Sequence, residues 1–176
     1  MVFAKTISID GIFARLGCAL LAGALVAGCE VNAKAPPCPF QGTGDLAPSA
    51  GCLSLENGKL LVVQGMNRKL SPPGGKARDG ESAQCTAHRE TWEETGLALK
   101  PTRLIDVFDT GFHLYQCERM QESGAIAPGE RFEIRSAFYL APDEFDDWDW
   151  RFPGQQKTLR TLIDGLREPP AQTGSE

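Results

Sequence analysis

No strongly basic stretch occurs in this chain: Lys and Arg together number 18 of 176 residues against 23 Asp and Glu, a formal charge of −5. A protein that grips nucleic acid gathers cations against phosphate, so this balance argues against that class of partner. Histidine is scarce as well, and His88 and His113 have no metal-ligand spacing between them; both are expected as surface or strand residues. No apolar run comfortably reaches the roughly 20 residues needed to span a bilayer, and no internal repeat is present. What the sequence does hold is 41% hydrophobic and 23% charged residues, too much apolar material for a disordered chain and enough for one globular domain.

The first 28 residues differ from the rest. Lys5 and Arg15 precede an uncharged run over 16–28 dominated by Leu, Ala, Gly and Val, the pattern of a secretory signal. The run ends Leu25-Val26-Ala27-Gly28-Cys29, which resembles a bacterial lipobox. That resemblance implies acylation at Cys29, cleavage before it, and a periplasm-facing lipoprotein held to a membrane by its N-terminus. Glu30 stands where an Asp acts as a retention signal in some Gram-negative bacteria, so the outer membrane is the expected destination. A plain cleaved signal and an uncleaved anchor are the alternatives, and the long leader containing Asp10 departs from the lipoprotein pattern. Residues 29–50, rich in Ala, Pro and Gly, read as a tether. A folded domain is expected over 51–167 and a flexible tail over 168–176.

Within the domain, two short apolar runs at 52–55 and 59–64 flank Asn57-Gly58, a hairpin signal because both residues tolerate positive φ. Residues 67–80, with Pro72-Pro73-Gly74-Gly75 and Asp79-Gly80, read as loop and turn. Ser82 can cap a helix over 82–95 and Gly96 can end it. Strands are expected over 104–108, 112–117 and 132–140. A second helix is expected over 155–166, where Leu159, Leu162, Ile163 and Leu166 recur at helical spacing.

The first helix carries the chemistry. Glu90, Glu93 and Glu94 are spaced i, i+3, i+4 and fall within an arc of about 100° on one helix face. Crowded carboxylates repel unless a cation lies among them, and such an oxygen-rich cluster suits Mg²⁺ or Mn²⁺. A solvated acidic face is the alternative that spacing alone leaves open.

Gly75, Glu81, Arg89, Glu90, Glu93, Glu94, Gly96 and Leu97 stand in one register. It resembles the Nudix hydrolase signature: Gly, five residues, Glu, seven residues, Arg-Glu, an apolar position, any residue, Glu-Glu, any residue, Gly and an apolar residue. Thr91 departs from it, occupying a position where the family prefers a larger aliphatic side chain. The resemblance implies an α/β fold, a Nudix-type α/β/α sandwich with a mixed β-sheet. It also implies hydrolysis by water of a diphosphate bond in a nucleoside diphosphate linked to another moiety. Glu90, Glu93 and Glu94 would hold Mg²⁺ or Mn²⁺ with a backbone carbonyl of Gly74 or Gly75, while Arg89 and Glu81 would lock the loop to the helix. Bound Mg²⁺ would neutralise phosphate oxygens and stabilise the leaving phosphate.

A further carboxylate from a later loop serves as base or extra ligand in several members of the family; Asp143, Glu144, Asp146, Asp147 and Asp149 are candidates, or simply a solvated loop. Tyr115, 18 residues after Leu97, stands where a subgroup that cleaves dinucleoside polyphosphates carries a tyrosine. It could stack on a substrate base or pack across strands. Trp92 is expected in packing. The expected partner is thus a small-molecule diphosphate. Two rival readings are a catalytically idle domain that binds at the envelope and a hydrolase of lipid- or sugar-linked diphosphates.

Four cysteines remain for the domain and its tether: Cys38, Cys52, Cys85 and Cys117. In an oxidising compartment they suit two disulfides with three possible pairings. Cys38 with Cys52 would pin the tether to the first strand and Cys85 with Cys117 would brace the signature helix against a neighbouring strand, so this pairing is expected; buried free thiols are the alternative.

Overall fold

The computed structural model describes residues 35–129 and 132–167. The leader, Cys29 and the tail at 168–176 lie outside the described residues. The elements follow in the order β1 (Ser49–Leu53), β2 (Leu55–Glu56), β3 (Lys59–Gly65), β4 (Leu70–Ser71), β5 (Gly74–Lys76), α1 (Ala83–Thr95), β6 (Leu99–Val107), β7 (Phe112–Arg119), β8 (Ile134–Leu140), a short 3-10 helix (Pro142–Asp147) and α2 (Gln155–Arg167). Asn57 and Gly58 both take positive φ, 51° and 77°, and turn β2 into β3 as expected. Residues 67–80 are not all loop, because β4 pairs with β3 and β5 pairs with β1.

The strands form two four-stranded sheets. One is mixed, in the order β5-β1-β7-β6, with β1 and β7 parallel; the other is antiparallel, with β2, β4 and β8 around β3. Successive strand residues point to opposite faces, and this alternation builds two cores. On β1, Cys52 joins Leu61, Tyr115 and Cys117 against Ala83 and Ala87 of α1. Its neighbour Leu53 joins Leu60, Val62 and Leu114 against Leu159 and Ile163 of α2. The sheets therefore lie between the two helices, which is the α/β/α layering expected. The difference is that the strands divide into two sheets instead of forming one.

The tether expected over 29–50 is not what its described part forms. The Asp45 carbonyl accepts the Ala83 N–H at 2.7 Å and Leu46 bridges to Ser82, so this segment is a strap along the start of α1. A proline-rich stretch without periodicity has no core face of its own, yet an extended backbone still offers its carbonyls to a neighbour.

The cysteine pairing expected from sequence is also corrected: the disulfides are Cys38–Cys85 and Cys52–Cys117, with Cα atoms 5.3 and 5.4 Å apart. The strap follows the helix instead of the first strand, which carries Cys38 to the first turn of α1. Cys52 lies opposite Tyr115 in the parallel β1–β7 ladder and shares its core face with Cys117 two residues on. Among the described residues no helix is long and apolar enough to cross a membrane.

Candidate active site on the first helix

Local chemistry delimits α1 at both ends. The Ser82 hydroxyl accepts the Cys85 N–H at 3.3 Å, satisfying one of the donors left open at a helix start. Gly96 takes φ 74° and donates its N–H to the Trp92 carbonyl at 2.7 Å. A Cβ at Gly96 would stand 2.5 Å from the Ala127 carbonyl oxygen, so only glycine fits.

Between these caps the helix presents its carboxylates around Arg89, whose side chain is 9% exposed. Nε and Nη2 donate to the two oxygens of Glu81 at 2.8 and 2.7 Å, a bidentate fork. Nη2 also donates to the Lys76 carbonyl at 2.9 Å. Nη1 donates to Glu90 at 2.7 Å and to Glu93 at 2.9 Å. All five guanidinium N–H groups are thereby used. Burial by itself would raise the Glu81 pKa, but hydrogen bonds from Arg89, the Arg78 N–H and the Thr86 hydroxyl bring it down to about 2. The Glu81 carboxylate in turn holds Arg89 above its ordinary range. Glu81 is thus a fixed anion that locks the loop to the helix.

The loop lies flat on the carboxylates because it is built from glycine where they touch. The Gly74 N–H donates to Glu94 at 2.8 Å, and a side chain at Gly74 would strike Gly51 and the Ala50 carbonyl of β1. A Cβ at Gly75 would overlap the Glu90 carboxylate. Glu90, Glu93 and Glu94 offer only oxygen donors. Hard divalent cations such as Mg²⁺ or Mn²⁺ suit such a set, and soft metals do not. Among the described residues no three His, Cys, Asp or Glu side chains are already placed to hold a metal ion; Arg89 pairs with Glu90 and Glu93, and Arg78 with Glu93.

A family model of the NUDIX domain matches residues 45–162, more than half of the chain. The chain belongs to the NUDIX hydrolase family. Among curated proteins, Nucleoside diphosphate-linked moiety X motif 6 of Xenopus laevis is 35% identical over 72 residues, which is 39% of this chain and 33% of that protein. This chain thus spans about a third of that relative's length. An ADP-ribose pyrophosphatase from Streptococcus suis superposes with a TM-score of 0.57 at 19% identity, covering 68% of this chain and 91% of that one. A UDP-X diphosphatase gives 0.58 at 23% identity, covering 73% and 68%. At these identities the solved structures establish the fold.

The NUDIX signature residues named from sequence, Gly75, Glu81, Arg89, Glu90, Glu93 and Glu94, come together with Gly74. Thr91 faces the core with no exposed surface, and its hydroxyl has no hydrogen-bond partner. Other expectations are corrected. Tyr115 is 2% exposed inside the α1-side core, so it packs across strands and offers no open face to a base. Burial first, and the charge of Asp45 second, push its hydroxyl up to about 12. His88 is buried, with Nδ1 2.6 Å from the Leu99 carbonyl and Nε2 3.2 Å from that of Pro36. Its spacing with the buried Thr91 and Thr95, i+3 and i+7, is the sequence signal that places it inside. His113 lies on a strand beside Tyr115, as expected.

The acidic loop 143–149 is occupied with its own structure. Glu144 caps the Ala141 N–H at 3.1 Å, and Asp146 pairs with Arg160 of α2 at 2.9 Å. That arginine holds Asp146 below its usual carboxylate range. Arg78, unmarked in the sequence, donates through Nη2 to Glu93 at 3.1 Å. It falls at a position where the signature allows any residue, and nothing in the sequence marks it.

Proposed function

We propose that the chain hydrolyses the diphosphate bond of a nucleoside diphosphate linked to another group, using a divalent cation held by Glu90, Glu93 and Glu94. The observation that carries this reading is the intact carboxylate face laid against Gly74 and Gly75, because a module that only binds has no use for three acids crowded on one helix face. The names of the curated relative and of the UDP-X diphosphatase support the substrate class.

In the reaction a water oxygen bonds to phosphorus while the bridging P–O bond breaks, giving two phosphate products. A bound Mg²⁺ or Mn²⁺ supplies charge neutralisation to the phosphate oxygens and acidifies water. Arg89 and Glu81 fix the loop on the helix, so the carboxylates and the glycine backbone keep one geometry through the displacement.

The setting belongs to the same proposal: an exported protein, acylated at Cys29 and held at the periplasmic side of the envelope. Two disulfides among the described residues support an oxidising compartment, and the residues at 25–29 support the anchor. A panel of nucleoside diphosphate derivatives assayed with Mg²⁺, with Mn²⁺ and after chelation tests the activity. Hydrolysis of at least one compound that stops on chelation is expected. No turnover on any of them, with the protein folded and loaded, would remove the reading.

A further inference from the structure

The carboxylate face must meet an anionic substrate, and a hydrolase for diphosphates needs a cationic group besides the metal to orient the second phosphate. Arg89 cannot supply it, because each of its five N–H groups is already bonded to Glu81, Glu90, Glu93 or the Lys76 carbonyl, and the side chain is buried. Arg78 differs on every count. Its side chain is 67% exposed, and its guanidinium pairs with Glu93 at 3.1 Å. Its backbone is fixed from below, the N–H donating to Glu81 at 3.0 Å, so the side chain can swing while its root stays in register with the site. Beside it opens a depression of about 430 Å³ between the signature loop and the strap, lined by Leu46, Pro48, Ala77, Arg78, Gly80 and Glu81 among others. That size suits a small-molecule moiety, and Leu46, 75% exposed, gives the depression an apolar wall on the strap side.

We propose that Arg78 is the phosphate-recognising residue of this enzyme, and that in the free protein Glu93 keeps its place. The proposal rests on the hydrolase reading above. When Glu93 turns to a divalent cation, the guanidinium exchanges its single contact with that carboxylate for phosphate oxygens of the substrate, which its planar fork can bind in pairs. The group attached to the diphosphate then extends into the depression between Arg78 and Leu46.

The test uses the whole exported protein, Mn²⁺ binding followed by electron paramagnetic resonance, and methylenediphosphonate as an uncleavable probe. In Arg78→Gln at saturating Mn²⁺, the probe is expected to bind about tenfold more weakly. Mn²⁺ itself should bind as tightly as in the unaltered protein or more so, because Glu93 then has one cationic competitor, Arg89, instead of two. Arg78→Lys, which keeps the charge without the fork, should recover part of the probe affinity. Equal probe affinity in Arg78→Gln and the unaltered protein would overturn the proposal. So would a loss of Mn²⁺ binding in that variant, since it would make Arg78 a support of the metal face and not a ligand of the substrate. The hydrolase reading fails separately, if the unaltered protein binds neither Mn²⁺ nor the probe.

Discussion

Thr91 carries a buried hydroxyl without a partner, on the helix that bears the site. Leaving such a group unbonded costs about 1–3 kcal/mol, so Thr91→Val, which keeps the shape and removes the oxygen, should raise the melting temperature by a few degrees with turnover unchanged. A lower melting temperature would mean that the hydroxyl is satisfied. Glu81 makes a prediction in pH. Its folded pKa of about 2 lies below its ordinary value of 4.5, so the unfolded chain takes up the proton first. The stability it contributes is complete above about pH 4.5 and is lost as pH falls toward 2. Chemical denaturation between pH 5 and 2 should show this slope, and Glu81→Gln should flatten it while lowering stability at neutral pH. The signature residues were legible in sequence because each is fixed by chemistry at a set spacing. Arg78 and Tyr115 were not. An arginine at a free position has no signal, and a tyrosine on a strand reads alike whether its ring faces a base or a core.

At the scale of elements, α1 was readable to within a residue, since Ser82 and Gly96 mark its ends and the carboxylate spacing fixes its phase. The short strands β4 and β5 were hidden inside a proline- and glycine-rich stretch, where ladder partners far along the chain decide the conformation and local propensity does not. The strap was hidden for a related reason: its bonds to α1 are made by backbone carbonyls, which every sequence has. It nevertheless braces α1 through Cys38–Cys85, the Pro36–His88 contact and the Asp45–Ala83 hydrogen bond. Replacing Cys38 and Cys85 together by Ser should therefore cost about 2–4 kcal/mol of stability. Peptide mapping of the unreduced protein should yield 38–85 and 52–117 linked fragments. A 38–52 fragment would contradict the strap.

Across the whole molecule, the layering was legible only through the resemblance to the NUDIX signature, while apolar runs and the helical spacing in α2 marked single elements. The division into two sheets was not, since it depends on which distant strands share an edge. The leader expected at 1–28 and the lipid at Cys29 belong to this scale also. Full-length protein made in a bacterial host should partition with membranes and gain the mass of a lipid, and Cys29→Ser should abolish both. An unchanged mass and partition in that variant would leave the domain without its proposed anchor.

The central claim is that the face of Glu90, Glu93 and Glu94 performs diphosphate hydrolysis with a divalent cation, and single-ligand replacement reads it most directly. Each of Glu93→Gln and Glu94→Gln removes one ligand charge at nearly constant volume. Steady-state turnover of the best substrate from the diphosphate panel, measured at saturating Mg²⁺ on variants that keep a cooperative melting transition, should fall by at least a hundredfold in both. Turnover within a few-fold of the unaltered protein in both variants would contradict the account.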